Sequence, residues 1–284
     1  MPLFEIRGLT HFFGGLKAVS DFNLAFQGGE LAGLIGPNGA GKTTIFNLVC
    51  GVYRPSHGEI RIQGRNAVGR FPHQVTGMGI ARTFQNIRLW PEMTVLDNIR
   101  VAHNYHLGYG LLSVLLQTSR YRTAEAKIDR TAREILEVMG LTDYGPELAK
   151  NLPYGLQRKV EIARALTVRP KLLLLDEPSA GMNLGEKQAL IELIRWIRKE
   201  FNLTIWLIEH EMRVVMNLCE YIHVLDFGAT IARDVPRWLP AADLGRLLDA
   251  LRADGRTIIG PTVRDDAIVL DEIRRTGETS LDTR

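Results

Sequence analysis

The nine residues GPNGAGKTT at positions 36–44 constrain this chain more than any other stretch. They sit between the apolar run LAGLI and a segment of helical periodicity, and they satisfy G-x-x-x-x-G-K-[ST] in its required strand-to-helix setting. Gly36, Gly39 and Gly41 let backbone N–H groups turn inward, with Pro37, Asn38 and Ala40 completing the turn. A helix opening near Lys42 then points its positive dipole end at what the loop encloses. The chemistry that suits such a cradle is polyphosphate: Lys42 adds a point charge, and Thr43, followed by Thr44, offers a hydroxyl to a magnesium ion. The competing reading, a glycine-rich turn before a helix with a solvated lysine, leaves the agreement of pattern and context unexplained.

A second element points the same way. Leu172, Leu173, Leu174 and Leu175 form a short apolar run that delivers Asp176 and Glu177 together. Ligands of open α/β sheets bind at the carboxyl ends of their strands. Asp176 is thus a candidate for holding Mg²⁺, and Glu177 for polarising the water that attacks a γ-phosphate. Two acids there could also merely cap the next helix, a reading that loses ground once the phosphate loop is beside them.

The rest of the sequence indicates a frame for these parts. With 284 residues, 45% of them hydrophobic, the chain can bury a sizeable core. Short apolar runs (LAGLIG, KLLLLDE, LTIWLIEH) alternate with helical patterns, which predicts an α/β domain with a mostly parallel sheet. Between two of those runs Leu190, Ile194, Ile197 and Phe201 recur at helical spacing, giving one core face to a crossover helix. Residues from about 91 to 165 carry helical periodicity without a convincing strand and predict an inserted helical subdomain. Within it, HNYHLGYGLLSVLLQTSRYR mixes apolar residues with Gly, Tyr and basic residues and is expected to be a packed or partly mobile insertion rather than a membrane-active helix.

Several function classes recede. The net charge of +3 is scattered along the chain, so nucleic acid is not the expected partner. Cys50 and Cys219 lie in apolar stretches without metal-ligand spacing and are expected to be buried thiols of a reducing compartment. The apolar runs are too short to span a bilayer, so a membrane role is expected to be peripheral, through a partner. After Arg233 the character changes: DVPRWLP reads as a linker, Leu244, Leu247, Leu248 and Leu251 share a helical face ended by Gly255, TIIG and AIVL read as short strands, and the polar end is expected to fray.

Other motifs in this order carry a family resemblance. Phe13 in HFFGG, Gln85 in RTFQN, NLPYGLQRKVEIARAL at 151–166, PSAGMN and His210 in IEHEM together make residues 3 to 232 resemble the ABC ATPases. The resemblance implies an α/β P-loop NTPase (RecA-like) core with an antiparallel β subdomain and an inserted helical subdomain, ATP and Mg²⁺ as ligands, and roles for individual residues. Phe13 would stack on adenine, although it could also be core. Gln85 would sense Mg²⁺, the γ-phosphate and a transporter partner, although it could be a surface amide. His210 would contact the γ-phosphate and orient water, and residues 179–183 would couple two sites, with Asn183 where many relatives have aspartate. The segment Pro153, Tyr154, Gly155, Leu156 and Gln157 would face the phosphate loop of a second ABC ATPase chain, as a homo- or heterodimer, sandwiching two ATPs.

GGLKAV, ARTFQNIRLWPEMTVLDNI, PSAGMN and IEHEM narrow the resemblance to ATP-binding subunits of branched-chain amino acid importers, a group that includes urea and short-amide systems. That implies transmembrane permease subunits as partners, a periplasmic or extracellular substrate-binding protein as an indirect one, and a place on the cytoplasmic face of the membrane. Residues 86–93, with Trp90 and Met93, would then receive a permease helix, or else pack inside the helical insertion. Two departures stand out: Pro153 and Leu156 replace small or polar residues of the signature, and about fifty residues follow the ATPase region. A proline N-terminal to a helix is tolerated, but it has neither hydroxyl nor N–H, so slower hydrolysis is expected with ATP binding retained. A soluble ABC ATPase acting on nucleic acid, and a slow nucleotide-gated regulator, are the alternatives.

Overall fold

A computed structural model of the chain describes residues 1–103, 109–236, 259–264 and 267–272. The chain opens with β1 (Phe4–Phe13), β2 (Leu16–Phe26) and β3 (Leu31–Ile35), and the glycine loop leads into α1 (Lys42–Val49). Then come β4 (His57–Ile62), β5 (Arg65–Asn66), α2 (Pro72–Gly77) and β6 (Ile80–Arg82). Four helices follow: α3 (Val95–Ala102), α4 (Leu111–Leu115), α5 (Ser119–Val138) and α6 (Tyr154–Leu166). The domain closes with β7 (Leu172–Asp176), α7 (Leu184–Glu200), β8 (Thr204–Ile208), α8 (Met212–Leu218), β9 (Tyr221–Asp226) and β10 (Ala229–Pro236).

Two sheets result. In the six-stranded one, ordered β10-β9-β3-β8-β7-β6, β3 runs parallel to both β8 and β9, and β7 runs parallel to both β6 and β8. Every residue of β7 and β8 is buried, which is why both read as unbroken apolar runs rather than alternating ones. The four-stranded sheet, β2-β1-β4-β5, is antiparallel. Trp206 on β8 ties the layers together: its fully buried ring meets Phe46 of α1 at 5.0 Å, Phe26 at 5.8 Å, Phe22 at 6.1 Å and Phe4 at 6.2 Å. Each such ring pair adds about 0.5–1.5 kcal/mol beyond its area burial. The aromatic cluster therefore fixes the antiparallel sheet against the helix that follows the glycine loop.

The crossover helix α7 buries Leu190, Ile194 and Ile197 as its periodicity requires, with Ile191 beside them, while Phe201 is its C-terminal cap residue. Asn183 caps its start: its side chain accepts from the Glu186 N–H at 3.0 Å, and the Glu186 carboxylate accepts the Asn183 N–H at 2.9 Å. This reciprocal cap needs a short side-chain acceptor, which asparagine provides as well as aspartate.

Among the described residues, the stretch from α3 to α6 contains no strand, only an isolated bridge between Thr94 and Leu148. The packed reading of the segment around LLSVLL does not hold for its leucines: Leu111, Leu112, Leu115 and Leu116 are 76%, 73%, 70% and 74% exposed. α5 turns Ala132, Ile135 and Leu136 inward, residues two or more turns beyond its junction with α4, so its apolar face gives those leucines no cover. Cys219 is buried as expected. Cys50 is only partly buried as a residue, but its thiol points inward beside Arg82, and burial pushes its pKa up to about 11.

Residues from Val235 onward cluster as a second unit. β11 (Ile259–Arg264) and β12 (Ala267–Glu272) form an antiparallel hairpin with Ile259 opposite Glu272, so AIVL is a strand, as are Ile259 and Gly260 of TIIG, whose first two residues lie outside the described ones. DVPRWLP is not wholly a linker, because β10 extends through Pro236. The leucine-faced helix expected around residues 244–251 and most of the polar end lie outside the described residues.

Candidate functional site

The glycine loop leaves β3 and is pressed against two neighbouring strands. Gly36 has φ 154° and Gly41 has φ 97°. A Cβ at Gly36 would lie 2.1 Å from the Leu225 carbonyl oxygen, and one at Gly41 would lie 2.4 Å from that of Ala18. These positions need glycine for packing as well as for conformation. Pro37, Asn38 and Gly39 face solvent, Ala40 is buried, Thr43 is exposed and Thr44 half-buried. Lys42, the first residue of α1, folds back so that its ammonium donates to the carbonyls of Gly36 at 2.7 Å and Pro37 at 2.9 Å. Burial lowers its pKa from the usual lysine value, and the nearby carboxylates of Glu177 and Asp176 oppose that shift. A partly desolvated cation at the N-terminus of α1 is suited to phosphate oxygens.

Two acids enter the same region from the end of β7. Asp176 is buried, and its Oδ2 accepts from Arg82 at 2.6 Å in an ion pair whose side chains are both 6% exposed. Arg82 also donates to Asn47 of α1 at 2.7 Å, and its guanidinium lies 5.5 Å from the Phe46 ring centroid and 4.9 Å from that of Phe84. One arginine thus links the end of β6, the helix after the glycine loop and the acidic strand. Glu177 takes φ 46°, a left-handed conformation that is uncommon for a non-glycine residue, with its N–H bonded to Ile208 O at 2.9 Å.

That turn aims Glu177 at two other candidates. Gln85 Nε2 donates to Glu177 Oε2 at 2.7 Å, and His210 Nδ1 stands 3.6 Å from the same oxygen, an electrostatic neighbour beyond hydrogen-bond length. Gln85 is therefore not an idle surface amide. His210 is placed by Glu209, a wholly buried residue whose carboxylate accepts the N–H of His210 at 3.2 Å and of Ser179 at 3.0 Å. Glu209 so joins the loop after β7 to the loop after β8.

The structure does not bring every candidate to this cluster. Phe13 ends β1 with 44% of its surface exposed, edge-on to Tyr53 at 5.3 Å and to His11 at 4.6 Å. It is a solvent-facing aromatic, not core. The signature segment begins α6, with Pro153 as the N-terminal cap residue making no side-chain bond. Pro153 and Tyr154 are exposed, while Gly155, Leu156 and Gln157 are half-buried. The Gln157 amide side chain donates to Leu152 O at 2.8 Å. Trp90 is 46% exposed, under the Arg164 guanidinium at 5.2 Å, so it lies on the surface rather than inside the insertion, and Met93 is half-buried.

Sequence reasoning missed the residues that connect these parts. Arg158 on α6 has no exposed surface, pairs with Glu161 at 2.6 Å and donates to the carbonyls of Phe84 and Gln85 at 2.7 Å each. Glu161 in turn accepts the N–H groups of Phe84 and Arg88 at 3.4 and 3.3 Å. The helix bearing the signature segment is clamped to the loop bearing Gln85. Their i, i+3 spacing on an otherwise apolar helix face was the available signal; Arg82 and Glu209 offered only their adjacency to motifs.

Comparison with known proteins agrees with this geometry. Residues 19–180 match the ABC transporter family. The chain is 43% identical over 235 residues to the high-affinity branched-chain amino acid transport ATP-binding protein BraF of Pseudomonas aeruginosa, covering 83% of this chain and 92% of that one. It is 44% identical over 235 residues to the corresponding Escherichia coli protein LivG, with the same coverage. Among solved structures, the ADP conformation of MJ1267, an ATP-binding cassette of an ABC transporter, superposes with TM-score 0.71 at 27% identity, over 82% of this chain and 91% of that one.

Proposed function

Because this chain belongs to the ABC transporter ATP-binding family, we propose that it energises an importer of branched-chain or closely related amino acids through the site formed by Lys42, Gln85, Asp176, Glu177 and His210. What carries the cargo reading is the identity to branched-chain transport ATP-binding proteins across 92% of their length. What carries the chemistry is the Glu177 carboxylate, held by Gln85 and faced by His210 at the carboxyl end of the sheet.

The roles follow from position. The loop amides and Lys42 take the β- and γ-phosphates of ATP, and Phe13 stacks on the adenine. Thr43, Asp176 and Gln85 offer hard oxygen donors, a set that suits Mg²⁺, which when bound neutralises phosphate charge. Glu177 accepts a proton from the attacking water, and His210 orients that water towards the γ-phosphate. The exposed start of α6 in a second ATPase chain, equal or related, would close the other side of the nucleotide. In this reading closure and reopening of the pair drive attached permease subunits at the membrane, because ATP binds the closed state better than the open one. The clamp from Arg158 and Glu161 would move the signature helix and the Gln85 loop together.

The test is uptake of labelled leucine, isoleucine and valine by cells of the source organism lacking this chain. Loss of that uptake, restored by wild type but not by Lys42→Ala, supports the assignment. Normal branched-chain uptake with impaired urea or short-amide uptake refutes the cargo.

A further inference from the structure

The four leucines at positions 111, 112, 115 and 116 are each at least 70% exposed and occupy one side of α4 by their i, i+1, i+4, i+5 spacing. Contiguous apolar surface of this kind marks a place where something binds. What binds is indicated by the adjoining charge. From residue 111 to residue 124 the chain contains Arg120 and Arg122 and no acid. Both arginines are exposed, and neither takes part in an ion pair among the described residues.

The two acids that follow first along α5, Glu125 and Asp129, are already engaged. Arg100 pairs with Glu125 at 3.0 Å, Tyr109 also donates to Glu125, and Arg133 pairs with Asp129 at 2.7 Å. The positive charge at the start of α5 is thus left uncancelled. The junction also carries its own bonds: Thr118 N donates to Ser113 O at 3.1 Å, and the Thr118 hydroxyl caps α5 by accepting the Tyr121 N–H at 3.4 Å. Apolar side chains on a short helix followed directly by unpaired arginines are the two halves of interfacial membrane binding: hydrocarbon below the headgroups, cations at the phosphates. Neutral lipid would satisfy only the first half, and a protein groove would not require the second.

We propose that α4 and the first turn of α5 form a contact for an anionic phospholipid surface, so that the chain touches the bilayer directly as well as through its permease. This goes beyond the importer assignment and rests on it only in placing the chain near a membrane. The isolated full chain can therefore test it whatever the cargo is.

The measurement is flotation of the nucleotide-free chain with vesicles of phosphatidylcholine alone and with vesicles containing equal phosphatidylglycerol. Binding is expected to the anionic vesicles, with little to the neutral ones and a fall as salt rises. Arg120→Ser with Arg122→Ser should lower the partition coefficient by about 30-fold. Leu112→Glu with Leu115→Glu should abolish flotation, while both double variants keep wild-type thermal unfolding and basal ATPase. No flotation, equal flotation with both vesicle types, or flotation indifferent to both variants overturns the proposal. So does light scattering that shows a wild-type dimer dispersed by Leu112→Glu with Leu115→Glu, because the patch would then join two copies of the chain.

Discussion

Replacing Arg158 with methionine tests whether the signature helix and the Gln85 loop are one mechanical unit. The arginine and Glu161 are paired at 2.6 Å with side chains 1% exposed, and Arg158 also satisfies the carbonyls of Phe84 and Gln85. Arg158→Met leaves a buried carboxylate without its counter-ion and two carbonyls without donors. Breaking a buried pair by removing one partner costs about 3–5 kcal/mol. For a domain of this size, that loss corresponds to a fall in Tm of about 6–20 °C. A typical reserve of about 5–15 kcal/mol leaves the variant folded at low temperature, so its ATPase can be assayed there. The double variant Arg158→Met with Glu161→Leu removes the stranded charge and should recover at least half of the lost stability by thermal or urea unfolding. It cannot restore the hydrogen bonds to the Gln85 loop, so kcat should remain depressed while Tm recovers. A single variant within about 1 kcal/mol of wild type, or a double variant with wild-type kcat, would show that the signature helix and the Gln85 loop are not coupled through Arg158.

Pro153→Ser restores a hydroxyl and an N–H at the cap of α6, where the native residue makes no side-chain bond. One recovered donor to a charged phosphate oxygen is worth about 1.5–3 kcal/mol, so steady-state ATPase should rise about tenfold or more with little change in ATP affinity of the isolated chain. An unchanged rate would reject the idea that the proline slows hydrolysis. Phe13→Ala removes an exposed ring that, among the described aromatics, packs on Tyr53 and His11, so stability should hold while calorimetric ATP affinity falls. Base stacking on an aromatic is worth about 1–3 kcal/mol, a weakening of about 5- to 150-fold; wild-type affinity would exclude stacking.

What the sequence made legible and what it hid have physical causes. The parallel strands were visible because β7 and β8 are covered on both faces and so are uninterrupted apolar runs. The glycine loop was visible because Gly36 and Gly41 face backbone carbonyls too closely for any side chain, which makes its pattern rigid. The Asp176–Arg82 pair and the bonds from Arg158 to the Gln85 loop were hidden because long side chains bring together residues 94 positions apart in one case, and 73 and 74 in the other. Local periodicity contains no such information. Whether LLSVLL packs or stays exposed was not legible, because an apolar run looks the same whether a neighbouring helix covers it or not.

The proposed function requires Glu177 to act within a membrane-bound assembly. Tagged wild-type chain extracted in mild detergent from its own membranes should bring down hydrophobic membrane subunits, and the complex should hydrolyse ATP. The same complex carrying Glu177→Gln should assemble and bind ATP, with hydrolysis reduced by about 10²- to 10⁴-fold, the range for loss of a general base. Recovery of the chain without membrane subunits, or near-wild-type hydrolysis by Glu177→Gln, would contradict it.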